Sequence, residues 1–257
     1  MTGTIRLERD GAVARIVIDR PDKMNAITRE MATALAEHCA VVDRDAAIRV
    51  VVIRGEGNRA FSAGSDLNAL AEPDPWALRN RTEYAAVVRN VQKPVIAALR
   101  GWVLGGGLEI ALGADIRVAG RGAKLGAPEV TRGWLGGGAA SQMLPRLAGY
   151  GQAMRLLLTG EPIDAERALA IGLVEEVVDD DAVQARADAL AATIASYSPI
   201  ATQAVKAAVR ASLSMPLEAG IRYENELHSL CFAAKDHLEG IRAFQGRRGA
   251  GSGDGQA

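Results

Sequence analysis

The chain has 257 residues, of which 49% are apolar and 4% aromatic, so it is long enough to bury a substantial core. Its 30 Lys and Arg and 31 Asp and Glu leave a formal net charge of -1, which argues against nucleic acid or an anionic membrane as a partner. Cys39 and Cys231 lie far apart and outside any CxxC spacing, so we expect no metal site, no disulfide framework and a reducing, cytoplasmic compartment. The first residues contain no apolar signal region. The longest apolar stretch, 95–114, is interrupted by Arg100 and Glu109 and is too glycine-rich for a membrane span.

Ile5–Arg9 and Val13–Asp19 flank Asp10-Gly11, which predicts a hairpin. Thr28 is placed to cap a helix whose apolar positions Met31, Leu35 and Val42 recur at helical spacing. The β-branched run Val50–Arg54 predicts a buried strand. Trp76–Val91 reads as one helix and Pro94–Leu99 as a further strand. Leu108–Gly113 reads as an apolar core helix, followed by a strand at Ile116–Ala119. Helices are expected at 141–147, 152–158, 164–170 and 182–196, with a last strand at 173–178. Two more helices open at Pro199 and Pro216, and a Gly/Ser-rich tail closes the chain. Strands alternating with helices, then a helical end, predict an α/β class. The expected divisions are a core at 1–196, a helical region at 197–248 and a disordered tail at 249–257.

Two glycine-bearing segments each follow a strand. One is Phe61-Ser62-Ala63-Gly64-Ser65-Asp66-Leu67, and the other runs from Gly101 through Gly105-Gly106-Gly107 to Glu109. Small residues let backbone N–H groups approach a ligand closely. In the second segment the glycines also open a helix, whose first amides lack intrahelical partners and favour negative charge. Simple turn-making explains either segment alone about as well. Neither is a Walker loop or a Gly-x-Gly-x-x-Gly dinucleotide motif. Glu109 falls in the first turn of the core helix and Glu129 follows the helix-starting Pro128. Each reads equally as a first-turn acid or as a functional carboxylate.

Taken together and in this order, the segments resemble the crotonase, or enoyl-CoA hydratase/isomerase, family. The likeness extends over Arg20-Pro21-x-Lys23-Met24-Asn25-Ala26, Pro94–Gly101, Gly133-x-Leu135 and Glu239–Phe244. It implies a spiral of ββα units with a C-terminal helical region that assembles homotrimers or homohexamers. It also implies an acyl-CoA thioester substrate, with CoA entering as part of that substrate and no separate cofactor. The implied activity is reversible hydration of a trans-2-enoyl-CoA, with Δ3,Δ2-enoyl-CoA isomerisation as the rival. By the resemblance, the Ser65 and Gly106 amides hold the thioester oxygen, while Glu109 and Glu129 handle water and a proton. Losing one oxyanion donor costs about 3–4 kcal/mol in other enzymes. Lys23, Ala26, Ala63, Asp66 and Leu67 are implied on the CoA side, with Gly137 and Trp134 near the acyl group. Arg247 and Arg248 are candidates for a CoA phosphate, with a solubilising tail as the plainer reading.

The chain departs from the family's Gly-x-x-Pro-Gly-x-Gly-Gly pattern, reading Gly133-Trp134-Leu135-Gly136-Gly137-Gly138-Ala139-Ala140. Outside the family, Ser62 stands in a partial nucleophile elbow. A serine hydrolase would need a His base, and His38, His228 and His237 all fall on expected helices.

Overall fold

In the computed structural model, which describes residues 3–70, 74–234, 236–238 and 241–242, the hairpin forms as expected. β1 (Thr4–Asp10) and β2 (Val13–Asp19) pair antiparallel around Gly11. The Thr28 hydroxyl accepts from the Met31 amide at 3.3 Å and opens α1 (Arg29–Arg44). The chain then repeats one unit. β3 (Val50–Gly55) and β4 (Ala60–Ser62) lead to α2 (Pro75–Arg79) and α3 (Tyr84–Asn90). β5 (Val95–Leu99) and β6 (Trp102–Leu104) lead to α4 (Gly106–Gly113). β7 (Ile116–Gly120) and β8 (Lys124–Gly126) lead to a 3-10 turn, Pro128–Arg132, and α5 (Ala140–Leu147).

The first strand of each pair joins one sheet and the second joins another, which makes the spiral. β3, β5 and β7 run parallel in a six-stranded sheet of order β1-β2-β3-β5-β7-β10, and β4, β6 and β8 run parallel in a smaller one. Between β8 and the end of the core lie α6 (Tyr150–Thr159), β9 (Ile163–Asp164), α7 (Ala165–Ala170), β10 (Glu176–Val178) and α8 (Val183–Ala195). β9 and β10 complete the two sheets.

Both faces of the large sheet are covered, as its β-branched runs require. Val50, Val52, Ile96, Ala98 and Val118 pack with Val183, Ala187 and Ala191 of α8. Val51, Ile53, Ala97 and Leu99 face the opposite way, into the main core with Leu35, Leu108 and Leu112. All of α4, from Gly106 to Gly113, is buried.

Several expectations need correction. The single helix expected over Trp76–Val91 is two helices, because the Glu83 carboxylate accepts from the Ala85 and Ala86 amides at 2.9 and 2.7 Å and caps a fresh start. The last strand begins at Glu176; Leu173 and Val174 are buried in the turn before it. α4 begins two residues earlier than its apolar run, since Gly106 and Gly107 already carry helical geometry. The strands of the small second sheet, which the ββα spiral implied by the resemblance requires, were not located by the residue pattern. They are two or three residues long and sit inside segments that read as turns.

The chain forms two compact units, Met1–Ala195 and Ser196–Ala257. In the second, α9 (Pro199–Ala211) packs with α10 (Leu217–Ala233), and the Ser198 hydroxyl donates to Asp236 at 2.6 Å. The tail 249–257, Arg247, Arg248 and most of the 239–244 motif lie outside the described residues. Among the described residues, no helix is long and apolar enough to cross a membrane.

Candidate active site

The two glycine segments meet because β4 and β6 are neighbours in the small sheet. Gly64 adopts φ +86, and a β-carbon there would lie 2.6 Å from the Gly106 amide nitrogen. Only glycine allows that approach, so the turn after β4 lies directly against the start of α4. Among the described residues, neither the Ser65 nor the Gly106 N–H meets an acceptor. Two unused backbone donors therefore stand side by side, one of them at the N-terminus of a buried helix.

The loop under this pair is held from within. Asn25, 1% exposed, donates its side-chain amide to the Glu56 and Ala60 carbonyls at 3.0 and 2.7 Å and accepts from the Arg20 amide. The Ser62 hydroxyl, fully buried, donates to the Asn25 carbonyl at 2.8 Å and accepts from the Gly64 amide. Ser62 is thus a strut rather than an exposed nucleophile. His38 is committed to the Ile5 carbonyl, and His228 and His237 stack on Phe232 in the helical unit. These positions remove the basis for a serine hydrolase.

Glu109 is 4% exposed on the first turn of α4, and its Oε1 accepts from the Gly138 and Ala140 amides at 2.7 and 3.3 Å. Burial pushes its carboxyl up to about 7, against those two hydrogen bonds and with help from the nearby Glu129 and Glu83 charges. Glu129, half-buried on the 3-10 turn, is also raised by desolvation, while Arg132 draws it down. Both carboxylates face one small volume. A β-carbon on Gly136 would meet Glu109 Oε1 at 2.9 Å and Glu129 Oε1 at 3.2 Å, so both carboxylates face the same glycine of the loop and stand close to one another.

The residues implied for catalysis and for the CoA and acyl groups, apart from Arg247 and Arg248, line one cavity of about 690 Å³: Lys23, Ala26, Ala63, Ser65, Asp66, Leu67, Gly106, Glu109, Glu129, Trp134 and Gly137. Within it, the Asp66 carboxylate is already engaged by Arg20 at 2.6 Å, which holds it below its ordinary value and braces the Ser65 turn. Trp134 stands between this cavity and a second, apolar one lined by Val130, Met154, Leu157 and Leu158.

Three further residues at the site carried no sequence signal, because a continuous helix over 76–91 would have spread them around its faces. The break between α2 and α3 delivers Arg81, Glu83 and Tyr84 to the cavity wall instead. The Tyr84 hydroxyl shares a hydrogen bond with Ser65 Oγ at 2.7 Å, and a β-carbon on Gly106 would collide with it. It therefore sits beside both free amides. Burial raises its phenol to about 12, so it stays protonated and able to donate.

Residues 8–252 match the family model described as enoyl-CoA hydratase/isomerase. The chain belongs to that family. It is 39% identical over 247 residues to (E)-benzylidenesuccinyl-CoA hydratase of Thauera aromatica, covering 95% of this chain and 96% of the relative. To 2,3-dehydroadipyl-CoA hydratase of Escherichia coli it is 38% identical, covering 94% and 95%. Among solved structures, an enoyl-CoA hydratase from Geobacillus kaustophilus superposes with a TM-score of 0.90 at 35% identity, covering 95% of each chain.

The departure from the family's Gly-x-x-Pro-Gly-x-Gly-Gly pattern in the 133–140 loop carries a local cost. Ala139 occupies the left-handed region at φ 84, where the pattern has glycine. Gly138 stands where the pattern allows any residue, but a β-carbon on it would collide with Glu109 Oε2.

Proposed function

We propose that this protein is an enoyl-CoA hydratase that adds water across the 2,3 double bond of a trans-2-enoyl-CoA. The observation that carries the reading is the convergence of a buried and a half-buried carboxylate on one glycine of the loop beside two unused amides. An isomerase needs only to move a proton, whereas hydration also needs a group to hold and activate water. Relatives named as hydratases at 39% and 38% identity support the same choice.

In the proposed mechanism the thioester oxygen accepts from the Ser65 and Gly106 amides. As water attacks Cβ, the electron pair of the double bond moves toward that oxygen, and the two amides stabilise the enolate where its charge collects. Water gives one proton to the Glu129 carboxylate and forms the new C–O bond. Glu109, fixed by the Gly138 and Ala140 amides, accepts the hydrogen bond from water's other proton and orients it. The enolate then collapses and Cα takes the proton from Glu129, which regenerates the carboxylate. The Tyr84 hydroxyl holds Ser65 in place through its 2.7 Å bond. In this reading Lys23, Ala26, Ala63, Asp66 and Leu67 serve CoA and Gly137 and Trp134 the acyl group; that all of them line one cavity supports it. CoA is part of the substrate, and no separate cofactor enters the scheme.

The acyl group is what the two relatives do not share beyond one property: benzylidenesuccinyl and dehydroadipyl groups both derive from diacids. A homotrimer or homohexamer is part of the proposal. Exposed Val205, Val209, Leu217, Leu230 and Phe232 on α9 and α10 support it, as an apolar surface of that kind is suited to contact with a second copy. A cytoplasmic setting accords with the two widely spaced cysteines.

The test follows loss of the conjugated thioester absorbance with a panel of trans-2-enoyl-CoAs. Hydration is expected, and Glu129→Gln should slow it about 10²–10⁴-fold. Isomerisation of 3-enoyl-CoAs with no hydration of any 2-enoyl-CoA would overturn the assignment.

A further inference from the structure

We propose that the acyl group of the preferred substrate ends in a carboxylate, and that Arg81 is the residue that binds it. The proposal rests on the hydratase reading and adds the substrate class. Arg81 lies in the break between α2 and α3, and its side chain crosses to the 133–140 loop. A β-carbon on Gly137 would collide with Arg81 Nη2. Gly137 is next to Gly136, the residue that both catalytic carboxylates face. Consecutive Cα atoms are about 3.8 Å apart, so the guanidinium stands one residue along the loop from the glycine that both carboxylates face.

The guanidinium is also uncommitted. Its Nη1 donates to the Leu78 carbonyl at 2.8 Å, a bond that fixes the side chain and leaves Nη2 facing the cavity. Among the described residues, no carboxylate lies within ion-pair distance of it. The nearest acid in sequence, Glu83, is taken up by the Ala85 and Ala86 amides and by Arg89 at 3.8 Å.

Charge makes this specific. Glu83, Glu109 and Glu129 line the same cavity, and so do the cations Arg20, Lys23 and Arg132; Arg20 and Lys23 act on Asp66 and Arg132 on Glu129, which leaves Arg81 as the cation against Gly137 that can receive an anionic acyl end. Arginine's planar fork matches a carboxylate with two parallel hydrogen bonds. The apolar cavity behind Trp134 offers the opposite preference, for an uncharged chain. Arg81 and that cavity therefore make opposite forecasts for two substrates of equal length.

The experiment compares trans-2-hexenoyl-CoA with its ω-carboxy counterpart, measuring kcat/KM for hydration of each. The wild type is expected to favour the carboxylated ester. In Arg81→Gln that preference should fall about 10–100-fold, and Arg81→Lys should restore part of it. A wild type that favours the uncharged ester would overturn the proposal and direct the acyl chain to the cavity behind Trp134. An unchanged ratio in Arg81→Gln, with both substrates slowed alike, would also overturn it and leave Arg81 as a counter-charge to the three glutamates. Hydration of neither ester defeats the hydratase reading itself, and this proposal with it.

Discussion

Replacing Glu109 by glutamine is expected to remove activity and to make the fold more stable at alkaline pH. Burial lifts this carboxyl from 4.5 to about 7. The folded protein therefore keeps a proton that the unfolded chain has already released between those two values. Stability contributed by this group falls as pH rises through the window, with the full penalty present above about pH 7 and none below about pH 4.5. At roughly 1.4 kcal/mol per pH unit, the penalty is about 1 kcal/mol at pH 5 and about 3 kcal/mol at pH 8, as orders of magnitude. Glutamine has nearly the same shape, carries no charge at either pH and still accepts from the Gly138 and Ala140 amides. Glu109→Gln should thus gain about 3 kcal/mol at pH 8, or about 5–10 °C in Tm, and only about 1 kcal/mol at pH 5. Urea denaturation of both proteins at the two pH values, at matched protein concentration, measures the difference. A variant no more stable than wild type at pH 8, or a gap that does not widen with pH, would refute the strained-carboxylate argument. Hydration near the wild-type rate would remove Glu109 from the mechanism.

The same ionisation should shape catalysis. Because Glu109 must be ionised to hold water, kcat/KM should climb with pH to a plateau above about 8, passing half of it near pH 7 and about a tenth of it at pH 6. A flat profile between pH 5.5 and 8 would argue against that role. Ala139→Gly is expected to stabilise the protein by about 0.5–1 kcal/mol, since it relieves a left-handed alanine, less the extra chain entropy glycine brings. Thermal melts check this, and a lower Tm would show that the Ala139 methyl contributes packing that outweighs the strain.

Much of the core was legible because its signals are local. The Asp10-Gly11 hairpin, the Thr28 cap and the β-branched run at Val50 each carry their structural instruction within a few residues. The two glycine segments were legible too, as short motifs, and so were the two glutamates. What they do with one another was not. Ser65 and Gly106 lie far apart in the chain, and only pairing of β4 with β6 sets their amides side by side. Glu109 and Glu129 face one point only because the 133–140 loop folds back over α4 and gives Glu109 its two amide donors.

The 76–91 region marks the limit most clearly. Its apolar spacing and composition fit one helix, and nothing local outweighs that reading. The break depends on the Glu83 carboxylate turning back on the Ala85 and Ala86 amides while Tyr84 docks against Gly106. That docking is a long-range packing event. The sequence by itself determined the chemistry available: backbone donors in glycine turns and two acids at helix starts. Tertiary structure decided how strongly those acids hold their protons, because burial is a property of the assembled core. It also decided that Tyr84 and Arg81 belong to the site at all, since their distance from the glycine segments is closed only by the fold.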